Sequence, residues 1–474
     1  MMVTQPATPQ QWEEVDRTIQ SLFAERCEAL ARTTQFVQRK RELTGKIFAQ
    51  TLVFGWMANP NASYTTLQQT MALQGCHLSA QALEKRMGAQ AAEYLHALLG
   101  ELLGTCVEHE GVMTEVLERF EGVYVQDGTI VSLPDELKEQ YQGCGGTSEY
   151  AGAESALRIQ VRLNLTTGGL QGPWLQGGRE EENQGEGSMQ ETRLPAGALY
   201  LTDSKYVTMK TMKEHEKQES FFLTHARADL QLTDERGVKY GFPTFLRSRE
   251  KQGPIDEWVT IGGRNPCRVR VVAFAVSEQT ATRLRTQAHK RSKMRPKGSR
   301  RDVRVGKKHA RPSREGQHKR KMSQARFALA GWTILLTNVP KERLAAHEVR
   351  VLARARWQIE LLWRAWKEHG KIDLWRSEKP MRILCEVYAK LMGCIIQHWI
   401  VLKGCWQHPH RSLVKARQAV EMMALAYLLS LSGPITSQRV LEVMGQMLQR
   451  SRLNHHSTRW STADLLQEPC RALA

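Results

Sequence analysis

At Gly122 the chain changes its hydrophobic period, and that change restricts the fold more than any other feature. Residues from about 10 to 118 are rich in Leu, Ala, Met, Gln and Glu and poor in β-branched types, a helical composition. Beyond Gly122, Val123-Tyr124-Val125 is a short β-rich run ahead of Asp127. In 156–165 the apolar residues Leu157, Ile159, Val161 and Leu163 recur every second position, which puts them on one face of a strand. Thr166-Thr167-Gly168-Gly169 reads as a turn and 172–177 as a third strand. Residues 198–202 and 221–224 are further strands around a helix at 207–220. Strands in succession, then strands alternating with helices, predict an α/β chain with a mixed sheet.

The 474 residues allow two to four domains and a large core. A net charge of +18 calls for a polyanionic partner, either nucleic acid or an anionic membrane. The apolar run around 391–402 is interrupted by Gln397 and His398, and no run approaches the ~18–20 residues of a spanning helix, so no membrane role is expected. The first fourteen residues lack the basic and apolar regions of a secretory signal. Nine cysteines without a CxxC pair suit reduced thiols, and His408-Pro409-His410 near Cys405 lacks the second ligand pair of a metal site. The expectation is a cytoplasmic, nucleoid-associated protein.

Residues 290–326 carry sixteen Lys and Arg against Asp302 and Glu315, with almost no large apolar side chain. Such a stretch buries no core, reads as extended or disordered, and suits a phosphate backbone; Lys307 and Lys308 at its centre are candidate DNA contacts. Around it, 231–336 reads as strands and loops, with strands at 257–261, 267–276 and 332–337. In the helical N-terminal region, 65–73 and 79–87 form a helix–turn–helix pattern with Gly75 at the C′ position and Ser79 as N-cap. Lys85 and Arg86 on the second helix are candidate groove contacts, although an ordinary helical hairpin has the same pattern. After His347 the chain is helical again to about Leu431, before Gly433-Pro434.

Three carboxylates stand out. Asp127 follows one apolar strand and Asp203 another, and carboxylates at the tips of adjacent parallel strands lie close together. On a regular helix Arg356 and Lys367 project within about 40° and 20° of Glu360, opposite an apolar stripe. One carboxylate between two cations is either a solvated ion pair or part of a metal and phosphate site.

Together these residues resemble the bacterial insertion-sequence transposases of the DDE superfamily. The likeness is to the cut-and-paste, insertion-sequence-four-like branch, whose signature is Tyr-x2-Arg-x3-Glu-x6-Lys. Arg356, Glu360 and Lys367 fit the spacing, Asp127 in Gln-Asp-Gly-Thr matches the first aspartate, and Asp203 in Leu-Thr-Asp-Ser the second. The signature tyrosine falls on Ala353. The resemblance implies an RNase H-like α/β core at 120–230 and 337–375, interrupted by a β-rich insertion at 231–336. Helical regions flank it: 1–119 for DNA binding and 376–474 for dimerisation. It further implies catalysis and metal binding by Asp127, Asp203 and Glu360, with two Mg²⁺ ions for which Mn²⁺ substitutes. DNA contacts are expected from Arg356, Lys367, Arg227 and Trp332, and a homodimer in the complex with element ends and target DNA. An RNase H-like nuclease without strand transfer, or a DNA-binding regulator that has lost catalysis, remain the alternatives.

Overall fold

In a computed structural model of the chain, the described residues are 9–452 and 462–470, apart from 40, 106, 109–113, 144–153, 181–192, 207, 250–252, 263–265, 294–326, 407, 409–410 and 434. They divide into two units that the chain enters more than once. The first comprises Met1–Leu117, Tyr124–Arg193 and Trp357–Asp464; the second comprises Glu118–Val123, Leu194–Arg356 and Leu465–Ala474.

Helices come first: α1 (Pro9–Ser21), α2 (Cys27–Thr33), α3 (Gly45–Ala58), α4 (Tyr64–Ala72), α5 (Ala80–Arg86), α6 (Ala89–Leu103) and the single turn α7 (Glu115–Glu118). The α4–α5 turn follows its local chemistry. Gly75 takes φ +79°, its N–H donates to the Ala72 carbonyl (3.0 Å), and the Cys76 N–H reaches the Met71 carbonyl (3.4 Å), the paired bonds of a Schellman end. Ser79 then caps α5 by accepting from the Ala82 N–H at 3.1 Å.

Next are β1 (Val123–Leu133), β2 (Ser155–Asn164) and β3 (Leu170–Gly177), an antiparallel meander in the first unit. The second unit holds β4 (Leu199–Thr202), α8 (Met209–Lys217), β5 (Phe221–His225), β6 (Gln231–Thr233), β7 (Lys239–Gly241), α9 (Phe242–Arg249), β8 (Ile255–Ile261), β9 (Cys267–Ala275), α10 (Glu278–Lys293), β10 (Trp332–Thr337) and α11 (Ala346–Ala355). Its strands run in the order β4-β5-β10-β9-β8-β6-β7, with β4 and β5 parallel and the remaining neighbours antiparallel. Phe222, Phe245, Ile261, Val269, Val271 and Leu336 form its core. Two helices, α9 and α10, stand where the sequence reads as strands and loops. The signals for α10 are local and not hydrophobic: the Ser277 hydroxyl accepts from the Thr280 N–H at 3.3 Å, and Glu278 occupies the first turn. The basic stretch thus begins helical at 290–293, and 294–326, with Lys307 and Lys308, lies outside the described residues.

The chain returns to the first unit through α12 (Trp357–Arg364), α13 (Pro380–Cys405), α14 (Leu413–Ser430) and α15 (Ser437–Gln449); a last helix, α16 (Thr462–Gln467), spans the boundary at Asp464. Helix α13 packs on α3, α6 and α14. Contrary to the sequence expectation, it is long and apolar enough to cross a membrane by length and composition, yet its most apolar window is 100% buried in protein. Each fully buried Leu or Ile stabilises the fold by about 1.5–3 kcal/mol, which accounts for a core helix this apolar. Its buried Lys390 is paired with Glu386 at 2.7 Å and donates to the Leu374 and Lys371 carbonyls at 2.7 and 3.2 Å, so neither charge is left uncompensated.

Candidate active site

Asp127, Glu360 and Lys367 belong to the first unit; Asp203, Arg356, Arg227 and Trp332 belong to the second. Asp127 is not at a strand tip. It is the fifth residue of β1, because ten successive pairings with β2, from Tyr124↔Asn164 to Leu133↔Ser155, keep the backbone extended through the Asp-Gly turn signal. Burial changes at this residue: Val123 to Gln126 are buried, while Asp127 to Ile130 are half-buried. Asp127 therefore opens a half-buried stretch of the strand, which is buried again at Val131 and Leu133.

Nor do Arg356, Glu360 and Lys367 share one uninterrupted α-helix. Arg356 is the C-cap of α11, Glu360 lies half-buried in α12, and Lys367 lies in a π turn at Ala365–His369. The π turn closes with the Gly370 N–H on the Ala365 carbonyl at 3.1 Å, and a Cβ at Gly370 would collide with Cys394 Sγ. Beneath it Trp363 and Trp366 meet edge to face, 5.4 Å between centroids. Single π turns often occur at functional positions, and this one directs Lys367 Nζ to the Ile130 carbonyl at 3.3 Å. Lysine and the strand of Asp127 are thus brought together.

In the second unit Asp203 directly follows β4. Its Oδ1 accepts from the Ser204 N–H at 2.6 Å and the Ser204 hydroxyl at 3.2 Å, which fixes the carboxylate's direction. Thr202 pairs with Thr224 in the parallel β4–β5 ladder, so His225 ends β5 beside Asp203. Crowding by protein atoms lowers the His225 pKa although the residue keeps exposed surface; the Arg356 charge lowers it further, and Asp203 opposes both. His225 thus lies beside Asp203, and the Arg356 charge is near enough to act on it. His225 is not among the residues the sequence singles out; its signal is its position after Phe221–Thr224, matching that of Asp203 after Leu199–Thr202.

The remaining candidates are dispersed. Arg227 is exposed and forks onto Asp229 at 2.9 and 3.2 Å. Trp332 opens β10, half-buried against the core of its unit. Lys85 is exposed on the last turn of α5, and the Arg86 guanidinium lies 5.2 Å from the Phe36 ring centroid. Ala353, at the signature tyrosine's position, is half-buried on α11, while Trp357, one residue after Arg356, is 45% exposed with the Arg364 guanidinium 5.8 Å from its ring. Within each unit, among the described residues, no three His, Cys, Asp or Glu side chains are gathered as a metal site.

The chain is similar to known proteins over much of its length. Residues 118–395 match the family described as the Transposase DDE domain, a segment that contains Asp127, Asp203, Arg356, Glu360 and Lys367. The transposase for insertion sequence element IS231E of Bacillus thuringiensis subsp. finitimus is 24% identical over 395 residues, covering 78% of this chain and 75% of its own. That for IS231B of Bacillus thuringiensis subsp. berliner is 23% identical over 410 residues (81% and 78%), and that for IS1151 of Clostridium perfringens is 22% identical over 400 (78% and 77%). With the match spanning more than half its length, the chain belongs to the DDE transposase family of bacterial insertion sequences and has that family's RNase H-like α/β fold.

Proposed function

We propose that the chain cleaves DNA at the terminal inverted repeats of an insertion sequence and joins the freed ends to a target, with Asp127, Asp203 and Glu360 as the catalytic carboxylates. One observation carries this reading. In the second unit the Glu121 N–H donates to the Gly197 carbonyl (3.2 Å) and the Leu199 N–H to the Gly122 carbonyl (2.9 Å), so the segments leading into β1 and β4 set out side by side in one direction. Asp127 comes five residues after Gly122 and Asp203 four after Leu199 in the sequence.

By donor type three hard carboxylates suit magnesium, and Asp203 is held in direction by Ser204. When bound by these residues, two Mg²⁺ ions (or Mn²⁺) supply activation of the attacking oxygen and stabilisation of the leaving one in phosphodiester chemistry. Arg356 and Lys367 hold phosphates beside the scissile bond as fixed cations that need no reorganisation. Water first attacks the phosphodiester, breaking the bond to the 3′-oxygen. The freed 3′-hydroxyl then attacks the opposite strand or target DNA, exchanging one phosphodiester for another. Joining two ends to one target calls for a homodimer, with the C-terminal helices as its interface, and the basic 290–326 stretch adds salt-sensitive affinity for any DNA.

Ala353 in the tyrosine's place favours a second reading, a DNA-binding regulator that has lost catalysis. Incubating the purified chain with end-bearing duplex and Mg²⁺ separates the readings. Cleaved and joined products support the transposase, cleavage without joining indicates a nuclease, and binding without cleavage indicates the regulator.

A further inference from the structure

A guanidinium with 0% exposure ties the β-rich insertion to the helix that ends at Arg356. Arg270 lies in β9, opposite Trp258 of β8 and Thr337 of β10. Its Nε and Nη2 donate to the two carboxylate oxygens of Asp256 at 2.7 and 2.8 Å. Its Nη1 donates to the carbonyls of Leu344 at 2.7 Å and Val339 at 3.3 Å, both in the connection from β10 to α11. Lys341 adds a second cation near the same aspartate, 3.7 Å from its Oδ1.

Burying a cation is costly unless every donor is satisfied, and apolar side chains would fill the same space without that cost. The arrangement is therefore read from what it holds. A planar guanidinium fixes several acceptors in direction at once, which neither lysine nor an apolar residue does. The held connection is short and is gripped at its ends as well. Asn338 donates to the Ser220 carbonyl at 3.0 Å, Glu348 accepts from the Ala345 N–H at 2.8 Å, and Arg119 pairs with that same Glu348 at 2.8 Å. From this base α11 runs ten residues to Arg356. Over its length of about 15 Å, a tilt of roughly 10° at the base displaces the far end by about 2.6 Å. A misplacement of about 1 Å is enough to cost on the order of a hundredfold in rate.

We propose that Arg270 is a positioning residue for the transposition reaction: without touching DNA it holds the base of α11 so that Arg356 meets its phosphate. The inference rests on the reading of Arg356 as a phosphate contact. It gives the insertion a part in the geometry of the reaction centre, through Asp256 and Arg270.

The test is the salt dependence of end binding by the full-length chain, using a duplex that carries the terminal inverted repeat of the element encoding it. Loss of one phosphate contact lowers the slope of log affinity against log salt by about 0.9. Arg356→Ala is expected to lower it by about that amount. Arg270→Gln, although the residue is buried, is expected to lower it by a similar amount, and the double variant no further than Arg356→Ala alone. A purely structural defect reduces the competent fraction, which shifts affinity equally at every salt concentration and leaves the slope intact. An unchanged slope in Arg270→Gln, with a lowered one in Arg356→Ala, overturns the proposal. An unchanged slope in Arg356→Ala instead overturns the reading of Arg356 on which it rests. Should Arg270→Gln not fold, Asp256→Asn decides in its place: a lowered slope supports the proposal, and a wild-type slope overturns it.

Discussion

Arg356 and Lys367 are eleven positions apart in the chain, yet the two units secure them by different physics. Arg356 ends an α-helix whose base is fixed by charged hydrogen bonds: Arg270 on two carbonyls, Glu348 on the Ala345 N–H, Arg119 on Glu348. Lys367 sits in a π turn fixed by volume, with Trp366 fully buried beneath and Gly370 seated against Cys394. A polar anchorage depends on direction and is shared among several partners. A packed one depends on fit and tolerates neither cavity nor excess.

The segment between the cations gives the largest expected effect. Glu360→Gln keeps the side chain's shape and should reduce nicking of end-bearing DNA by about 10³-fold while leaving end binding nearly unchanged. Undiminished nicking would remove Glu360 from the reaction. For the packed anchorage, Trp366→Ala should lower stability by about 3–5 kcal/mol in denaturant titration. A loss below 1 kcal/mol would show that packing does not secure the π turn.

Acid should weaken the first unit by about 3 kcal/mol through His398, a half-buried ring whose Nε2 lies 2.8 Å from the Gly168 carbonyl. Burial pushes its pKa from 6.5 down to about 4. The unfolded chain then binds a proton that the folded one refuses, so stability is full above pH 6.5 and declines as pH falls towards about 4. Melting temperature followed across that window should drop less steeply in His398→Gln, and an unaltered acid slope would acquit the histidine. On the polar side the smallest change is expected: Glu348→Ala should cost about 1–2 kcal/mol by removing a helix cap and the partner of Arg119. Thermal unfolding should show it, and high salt should narrow the difference from wild type if the Arg119 pair contributes.

What the sequence made legible was set by local chemistry. Gly75 and Ser79 punctuate α4 and α5 where their side chains require it, and the strands around Asp203 end where the apolar runs end. What stayed hidden depended on distant partners. The length of β1 is decided by β2, some thirty residues further on, so the strand continues past Asp127 where the apolar run ends. Helix α10 has too little apolar periodicity to declare itself, and the break between α11 and α12 leaves no mark in composition. The place of His225 emerges only once the β4–β5 register sets it beside Asp203. Of the site, the residue types and spacing were readable, whereas the π turn under Lys367 was not.

The bond from Lys367 to Ile130 ends on a backbone oxygen, not on a side chain. Replacing the isoleucine therefore leaves the acceptor in place, whereas inserting or deleting one residue between Asp127 and Ile130 moves it by about 3.3 Å. That stretch of β1 should accept many substitutions in a randomised library and almost no change of length. Tolerance to spelling with intolerance to spacing would then mark the strand as a ruler for the lysine.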